Sequence, residues 1–211
     1  QDIAATLPVR CLGDVSGKSV LDMCAAPGGK TMQLAALGAA VTALDKSPER
    51  MARVGKNLER TKLSADLVTA DAIEWAPETN RQFDIVVLDA PCSATGTYRR
   101  HPDVLHNRTP KDVGSLVRLQ KKLVKAALAC LKPGGLLLYC TCSLQAEEGE
   151  SQADYILKTH SELTSVPLPE VQLLKPHDFI RESGYMRILP HVLGESGGSD
   201  GFFAALFQKS E

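Results

Sequence analysis

The chain lacks the cysteine spacing of a metal site. Its six cysteines, at 11, 24, 92, 130, 140 and 142, form no CxxC pair, so the usual zinc patterns are excluded and no metal is expected. It also lacks an apolar run long enough to span a bilayer, and any secretory signal. Reduced thiols, a cytoplasmic location and no membrane partner are therefore expected. A basic surplus is missing too: 24 Lys and Arg face 25 Asp and Glu, for a net charge of −1. A nucleic-acid binder working alone usually carries excess positive charge, so such binding here needs a local basic patch or a further domain. There is one tryptophan, and Trp75 is expected to pack rather than to stack on a base. Internal repeats and low-complexity tracts are absent. So is the Gly-x-Gly-x-x-Gly fingerprint, which disfavours a dehydrogenase. Gly-Gly-Lys-Thr at 28–31 looks like the end of a phosphate-binding P-loop, but Cys24 stands where that motif needs a glycine.

The 211 residues, 44% of them hydrophobic, suffice for one domain over 1–211 with a sizeable core. The chain opens at Gln1 rather than Met, so it is expected to be the remainder of a larger protein that has lost its N-terminal part. Residues 2–13 read as a helix. An apolar strand over 18–23 runs into Asp22-Met-Cys-Ala-Ala-Pro-Gly-Gly-Lys-Thr31, and a helix follows to Leu37 with Gly38 as its cap. A second strand, 40–44, ends in Asp45. Ser47 and Pro48 then open a helix with the stripe Met51, Val54, Leu58. A third strand, 65–69, ends near Asp71. A fourth, 83–88, is almost wholly apolar, as a strand covered on both faces should be, and ends in Asp89-Ala-Pro-Cys92. A polar loop over 93–109 leads to a helix reaching about Leu131, where Lys132-Pro-Gly-Gly135 breaks it. A fifth strand from Leu136 ends in Thr141-Cys142-Ser143, followed by a helix over 146–158 and late strands at 186–189 and 202–207.

Alternating strands and helices imply a parallel sheet covered on both faces. Strand carboxyl ends share one edge of such a sheet, so Asp22, Asp45, Asp71, Asp89 and Cys142 should converge there. Gly28 and Gly29 let the backbone turn and let a ligand approach the peptide groups. Asp45, 23 residues past Asp22, sits where an acid accepts bonds from the ribose of an adenosine-containing cofactor. Asp71 is placed to meet an adenine amino group. Cys92 and Cys142 both follow strands on the ligand edge. The helix after Cys142 should favour its thiolate, with Glu147, Glu148 and Glu150 opposing. Cys11, Cys24, Cys130 and Cys140 read as small buried hydrophobes.

Asp22 to Thr31, Asp89-Ala-Pro-Cys-Ser93, Thr141-Cys-Ser143, Arg99-Arg-His-Pro-Asp103 and Asp200-Gly-Phe-Phe-Ala204 together resemble the motifs of the RNA cytosine-5 methyltransferases of the Sun/Fmu type, over nearly the whole chain. The resemblance implies a Rossmann-like methyltransferase fold: an α/β, mostly parallel seven-stranded sheet, helices on both faces, last strand reversed. It implies S-adenosylmethionine, held by Cys24, Ala25, Ala26, Pro27, Gly28, Gly29, Lys30, Asp45, Asp71 and Asp89. The implied substrate is cytosine in RNA, small-subunit ribosomal RNA in the bacterial members, which also carry an N-terminal RNA-binding domain. A monomer is expected.

By the same resemblance Cys142 attacks carbon 6 of cytosine and Cys92 assists breakdown of the adduct. Asp89 contacts the cytosine edge or the cofactor's amino-acid end, and Lys30 steadies that region. The residues by themselves leave the choice between Cys92 and Cys142 open, since DNA cytosine-5 methyltransferases use the cysteine of a Pro-Cys pair. Arg99, Arg100 and His101, with His106 and Arg108, are expected to hold RNA phosphates beside the flipped base. Rival readings are an inactive RNA-binding module, a small-molecule methyltransferase and a nicotinamide enzyme.

Overall fold

The computed structural model describes residues 1–169, 179–192 and 194–211. Five strands run parallel: β1 (Ser19–Met23), β2 (Ala40–Asp45), β3 (Asp66–Thr69), β4 (Phe83–Asp89) and β5 (Leu131–Thr141). Three more are β6 (Leu163–Val166), β7 (Met186–Ile188) and β8 (Phe202–Lys209). The order is β3-β2-β1-β4-β5-β8-β6. The last strand, β8, lies antiparallel to β5, as expected. β6 and β7 share its far edge, β6 pairing with Leu206–Lys209 and β7 with Phe202–Ala204. The sheet therefore has eight strands rather than the expected seven, because β6 adds to the β8 edge beyond the half that the expected strand β7 covers.

The strands separate their side chains by the two-residue period of the pleat. Leu21, Met23, Val86, Leu88, Leu137 and Tyr139 enter one core layer, under α4 (Ala72–Glu78), α5 (Pro110–Ala129) and α6 (Glu150–Thr159). Val20, Ile85, Val87, Leu138 and Cys140 enter the other, under α1 (Ile3–Arg10) and α2 (Gly29–Ala36). On α3 (Pro48–Thr61), Met51, Val54 and Leu58 form the expected stripe and pack against Ala25, Ala26 and Ala43. Each such aliphatic side chain contributes about 1.5–3 kcal/mol by leaving water, so truncating fully buried Leu138 to Ala should cost roughly 2–5 kcal/mol.

Local signals hold at most helix ends. The Ser47 side chain accepts from the Arg50 amide with Pro48 in the first turn, and Gly38 follows the end of α2 at φ +85°. Four expectations need correction. The first helix spans only Ile3–Arg10. β5 starts at Leu131, because pairing with β4 carries the strand across Pro133-Gly-Gly135 through a shift in register. Gly149 separates a short 3-10 turn, Ala146–Glu148, from α6. α4 and β6 are additions to the expected set. Among the described residues no helix is long and apolar enough to cross a membrane. Trp75 packs against the core, as expected.

Candidate active site

The turn after β1 passes through Cys24 at φ +64° and Gly28 at φ +98°. Gly28 cannot take a side chain, since its φ is left-handed and a Cβ would meet Val54 at 3.0 Å. Gly29 opens α2 and lines the groove described below. Beneath the turn Asp22 is fully buried and accepts a 2.5 Å bond from Thr31 Oγ1. Its Oδ1 has no partner. Burial pushes the Asp22 carboxyl up to about 7. The Thr31 bond and the Lys30 charge oppose this, and Asp89 adds to it.

Lys30 points from the first turn of α2 to the end of β4. Its Nζ lies 2.8 Å from Asp89 Oδ2 and 4.9 Å from the centre of the Phe202 ring. Burial works against the lysine charge, yet the Asp89 carboxylate, Cys140 and Asp22 outweigh it and hold the pKa above the ordinary value. Lys30 and Asp89 thus form an ion pair at the end of β4.

Two openings lie at the strand ends, and the pair lines the larger of them. A cavity of about 100 Å³ lies between the ends of β2 and β3, lined by Cys24, Asp45, Asp71, Ile73, Leu119 and Leu123 among others. Asp45 is fixed there by two amides, Ala26 N at 3.1 Å and Ser47 N at 3.0 Å. Asp71 caps α4 through the Ile73 amide at 2.9 Å. The cavity therefore has apolar walls and anchored carboxylates at its rim, which suits a purine nucleoside with its hydroxyls and amino group. A larger groove of about 760 Å³ is lined by Ala25, Ala26, Pro27, Gly29, Lys30, Asp89 and Cys142, among others. Of the sequence-derived cofactor residues, Cys24, Asp45 and Asp71 thus line the small cavity and Ala25, Ala26, Pro27, Gly29, Lys30 and Asp89 the larger groove, while Gly28 lines neither.

Cys92 and Cys142 meet on that edge, their sulfurs 3.5 Å apart. The S–H of Cys92 toward Cys142 lowers the Cys142 pKa against the cost of burial, and nearby Lys30 helps. The same contact, burial, the charge on Cys142 and the Glu148 carboxylate push Cys92 well above the usual thiol range. The two thiols thus titrate as a coupled pair, the contact lowering Cys142 and raising Cys92. The helix expected to stabilise Cys142 does not follow it directly, since α6 begins only at Glu150; the partner thiol supplies the effect. The other cysteines are inert by burial: Cys11 is pushed up to about 11 and Cys24 to about 12, and Cys130 and Cys140 are also raised.

Three further residues build the site. Glu148 is wholly buried and accepts bonds from Ser93 and Ser143, the neighbours of the two cysteines. Asp200 receives Arg100 in a two-point contact, Nε at 3.0 Å and Nη2 at 2.5 Å, and Arg99 lies 3.7 Å from it and 3.1 Å from Asp2. Gly201 lies against Gly96 so closely that a Cβ on either would strike the other's backbone. The tail motif Asp200-Gly-Phe-Phe thereby clamps the loop after Cys92 and lays Phe202 on Lys30. Arg99 and Arg100 already hold carboxylates, while His101, His106 and Arg108 are exposed on the same loop. Lys122 and Lys125 are exposed on α5, and Lys121 covers the Tyr155 ring at 3.9 Å.

Residues 9–208 match the family described as 16S rRNA methyltransferase RsmB/F. Ribosomal RNA small subunit methyltransferase B of Erwinia tasmaniensis is 38% identical over 214 residues, covering 99% of this chain and 46% of that protein. A crystal structure of PH0851 superposes with a TM-score of 0.89 at 34% identity, over 99% of this chain and 46% of that one. NSun6 from Pyrococcus horikoshii, solved with SFG, gives 0.85 at 29% identity, over 100% and 53%. The chain spans less than half the length of the curated relative.

Proposed function

This chain belongs to the family of 16S rRNA methyltransferases RsmB/F, and from that premise we propose that it methylates carbon 5 of a cytosine in small-subunit ribosomal RNA through a covalent bond from Cys142 to carbon 6. S-adenosylmethionine is the cofactor. The anchored Asp45 and Asp71 at the rim of the small cavity, the turn from Cys24 to Lys30, and Asp89 are the residues that would hold it. When bound, it supplies an electrophilic methyl group. The observation that carries the proposal is the pair of sulfurs 3.5 Å apart beside the Lys30–Asp89 pair.

Carbon 5 of cytosine is a weak nucleophile. The Cys142 thiolate adds to carbon 6, and the ring electrons move onto carbon 5 and nitrogen 3. In this reading the Asp89 carboxylate would accept from the exocyclic amine of the base and hold it in place, while the positive charge of Lys30 would offset the negative charge that develops on the ring. Carbon 5 takes the methyl group, a base removes its proton, and the electron pair expels the Cys142 thiolate. The thiol at Cys92 stands beside the departing sulfur and can donate to it, which suits a role in adduct breakdown. The target base has to be unpaired or flipped to reach this depth. The exposed residues His101, His106 and Arg108, with the outer edges of Arg99 and Arg100, are the proposed phosphate contacts.

The test is incubation with labelled S-adenosylmethionine and small-subunit ribosomal RNA, followed by mapping of the product. Label in 5-methylcytosine supports the proposal. Label at a ring nitrogen, an exocyclic amine or a ribose, or in a free small molecule, overturns it.

A further inference from the structure

Glu148 is 0% exposed, and among the described residues its carboxylate meets no cation. Five hydrogen bonds converge on it instead. Ser93 donates its amide to Oε1 at 2.9 Å and Oε2 at 3.1 Å, and its hydroxyl to Oε2 at 2.6 Å. Ser143 Oγ donates to Oε2 at 2.6 Å, and Gln120 Nε2 to Oε1 at 3.1 Å. Leaving a buried carboxylate without a counter-ion is costly, so a fold retains one only where hydrogen bonds saturate it. These donors are not scattered: Ser93 follows Cys92, Ser143 follows Cys142, and Gln120 also holds the carbonyl of Pro91, which precedes Cys92, at 3.0 Å.

We propose that Glu148 is the positioning residue that sets the spacing of the two thiols, by binding the residue that follows each of them. This rests on the reading of Cys142 and Cys92 as the reacting pair. β4 and β5 are neighbours, but each strand ends before its cysteine, so the sheet alone does not fix the sulfurs. The carboxylate closes that gap from a third segment, the 3-10 turn Ala146–Glu148. That turn is itself held to β5, because the Glu148 carbonyl accepts from Tyr139 at 2.9 Å and Thr141 at 3.3 Å. Smaller ties run parallel to the main one. Thr95 Oγ1 accepts from the Leu144 amide at 3.0 Å, and the Gly96 amide donates to the Cys142 carbonyl at 2.9 Å. The titratable groups facing Cys92 are Cys142, Glu148 and Tyr139. The contact with Cys142 and burial raise the Cys92 thiol most, and Glu148 adds to them.

The experiment uses the full-length protein with Glu148→Gln, and with Ser93→Ala and Ser143→Ala, which cut one arm each. Three quantities are measured: affinity for S-adenosylmethionine by calorimetry, kcat and KM on ribosomal RNA, and the rate at which diamide closes a Cys92–Cys142 disulfide. Diamide takes up the two electrons and two protons that the thiols lose. Glu148→Gln should leave cofactor affinity and RNA KM within two-fold. It should lower kcat about 100-fold, the scale set by an ångström of misplacement, and slow disulfide closure by a similar factor. Each serine variant should shift both rates in the same direction, by roughly ten-fold. A folded Glu148→Gln protein with unchanged kcat and closure rate overturns the proposal. If Glu148→Gln does not fold, unchanged rates in both serine variants overturn it, and lowered rates support it. A wild-type protein that methylates no cytosine sinks the functional reading alone, because disulfide closure still reports on Glu148.

Discussion

Replacing Asp22 with Asn should change how stability depends on pH, and the size of the change follows from burial. The Asp22 carboxyl is fully buried and pushed up from its ordinary 3.8 to about 7. Between these values the unfolded chain has released the proton and the folded chain keeps it. The folded state thus binds more protons, so stability falls as pH rises through this window and is level above it. Relative to a residue that does not titrate, the loss is about 2 kcal/mol at pH 5 and about 4 kcal/mol at pH 8. The difference, about 2–3 kcal/mol, is what Asp22→Asn should recover. Asparagine keeps an acceptor for Thr31 and removes the titration, and Lys30, whose pKa is held above its ordinary value, stays charged across this range. Urea unfolding of both proteins at pH 5 and pH 8 measures it. The gap between variant and wild type should move in the variant's favour as pH rises. A gap that stays constant, or moves toward the wild type, would refute the picture of a protonated Asp22 under the glycine turn.

Iodoacetamide at pH 8 should label Cys142 at least ten-fold faster than Cys11, Cys24, Cys130 or Cys140, whose thiols burial keeps protonated; peptide mapping by mass spectrometry reads the order. Asp200→Asn should cost about 1–3 kcal/mol by weakening the clamp on Arg100, seen as a lower urea midpoint; an unchanged midpoint would refute the clamp. Reversing Arg99 and Arg100 to Glu should weaken RNA binding and flatten its dependence on salt; titrations across a salt series that match the wild type would remove these two residues from the RNA path.

Much of the edge was legible because it repeats one rule. Strand, acid and turn recur in order, and the topology brings Asp22, Asp45 and Asp89 together without any knowledge of their contacts. Glu148 was not legible. It stands among Glu147 and Glu150 at the start of a helix and reads as one of three wet acids opposing a thiolate. Its burial is decided by Ser93, Ser143 and Gln120 from three separate segments. Arg99 and Arg100 were read as free cations because Asp200, which holds Arg100, lies a hundred positions away. The start of β5 was hidden for a different reason. Pro133, Gly134 and Gly135 are local breakers, and the Phe83–Leu131 pairing overrides them. β6 is four residues long and half polar, so it carries no signal apart from the β8 edge that receives it.

The central claim is that Cys142 attacks and Cys92 lets go. It is tested most directly by mixing Cys92→Ala and Cys142→Ala proteins with ribosomal RNA and S-adenosylmethionine, then running each on a denaturing gel. The account predicts a protein–RNA band for Cys92→Ala, with the nucleotide on Cys142 by peptide mapping, and none for Cys142→Ala. A stable band from Cys142→Ala, with the nucleotide on Cys92, would contradict it.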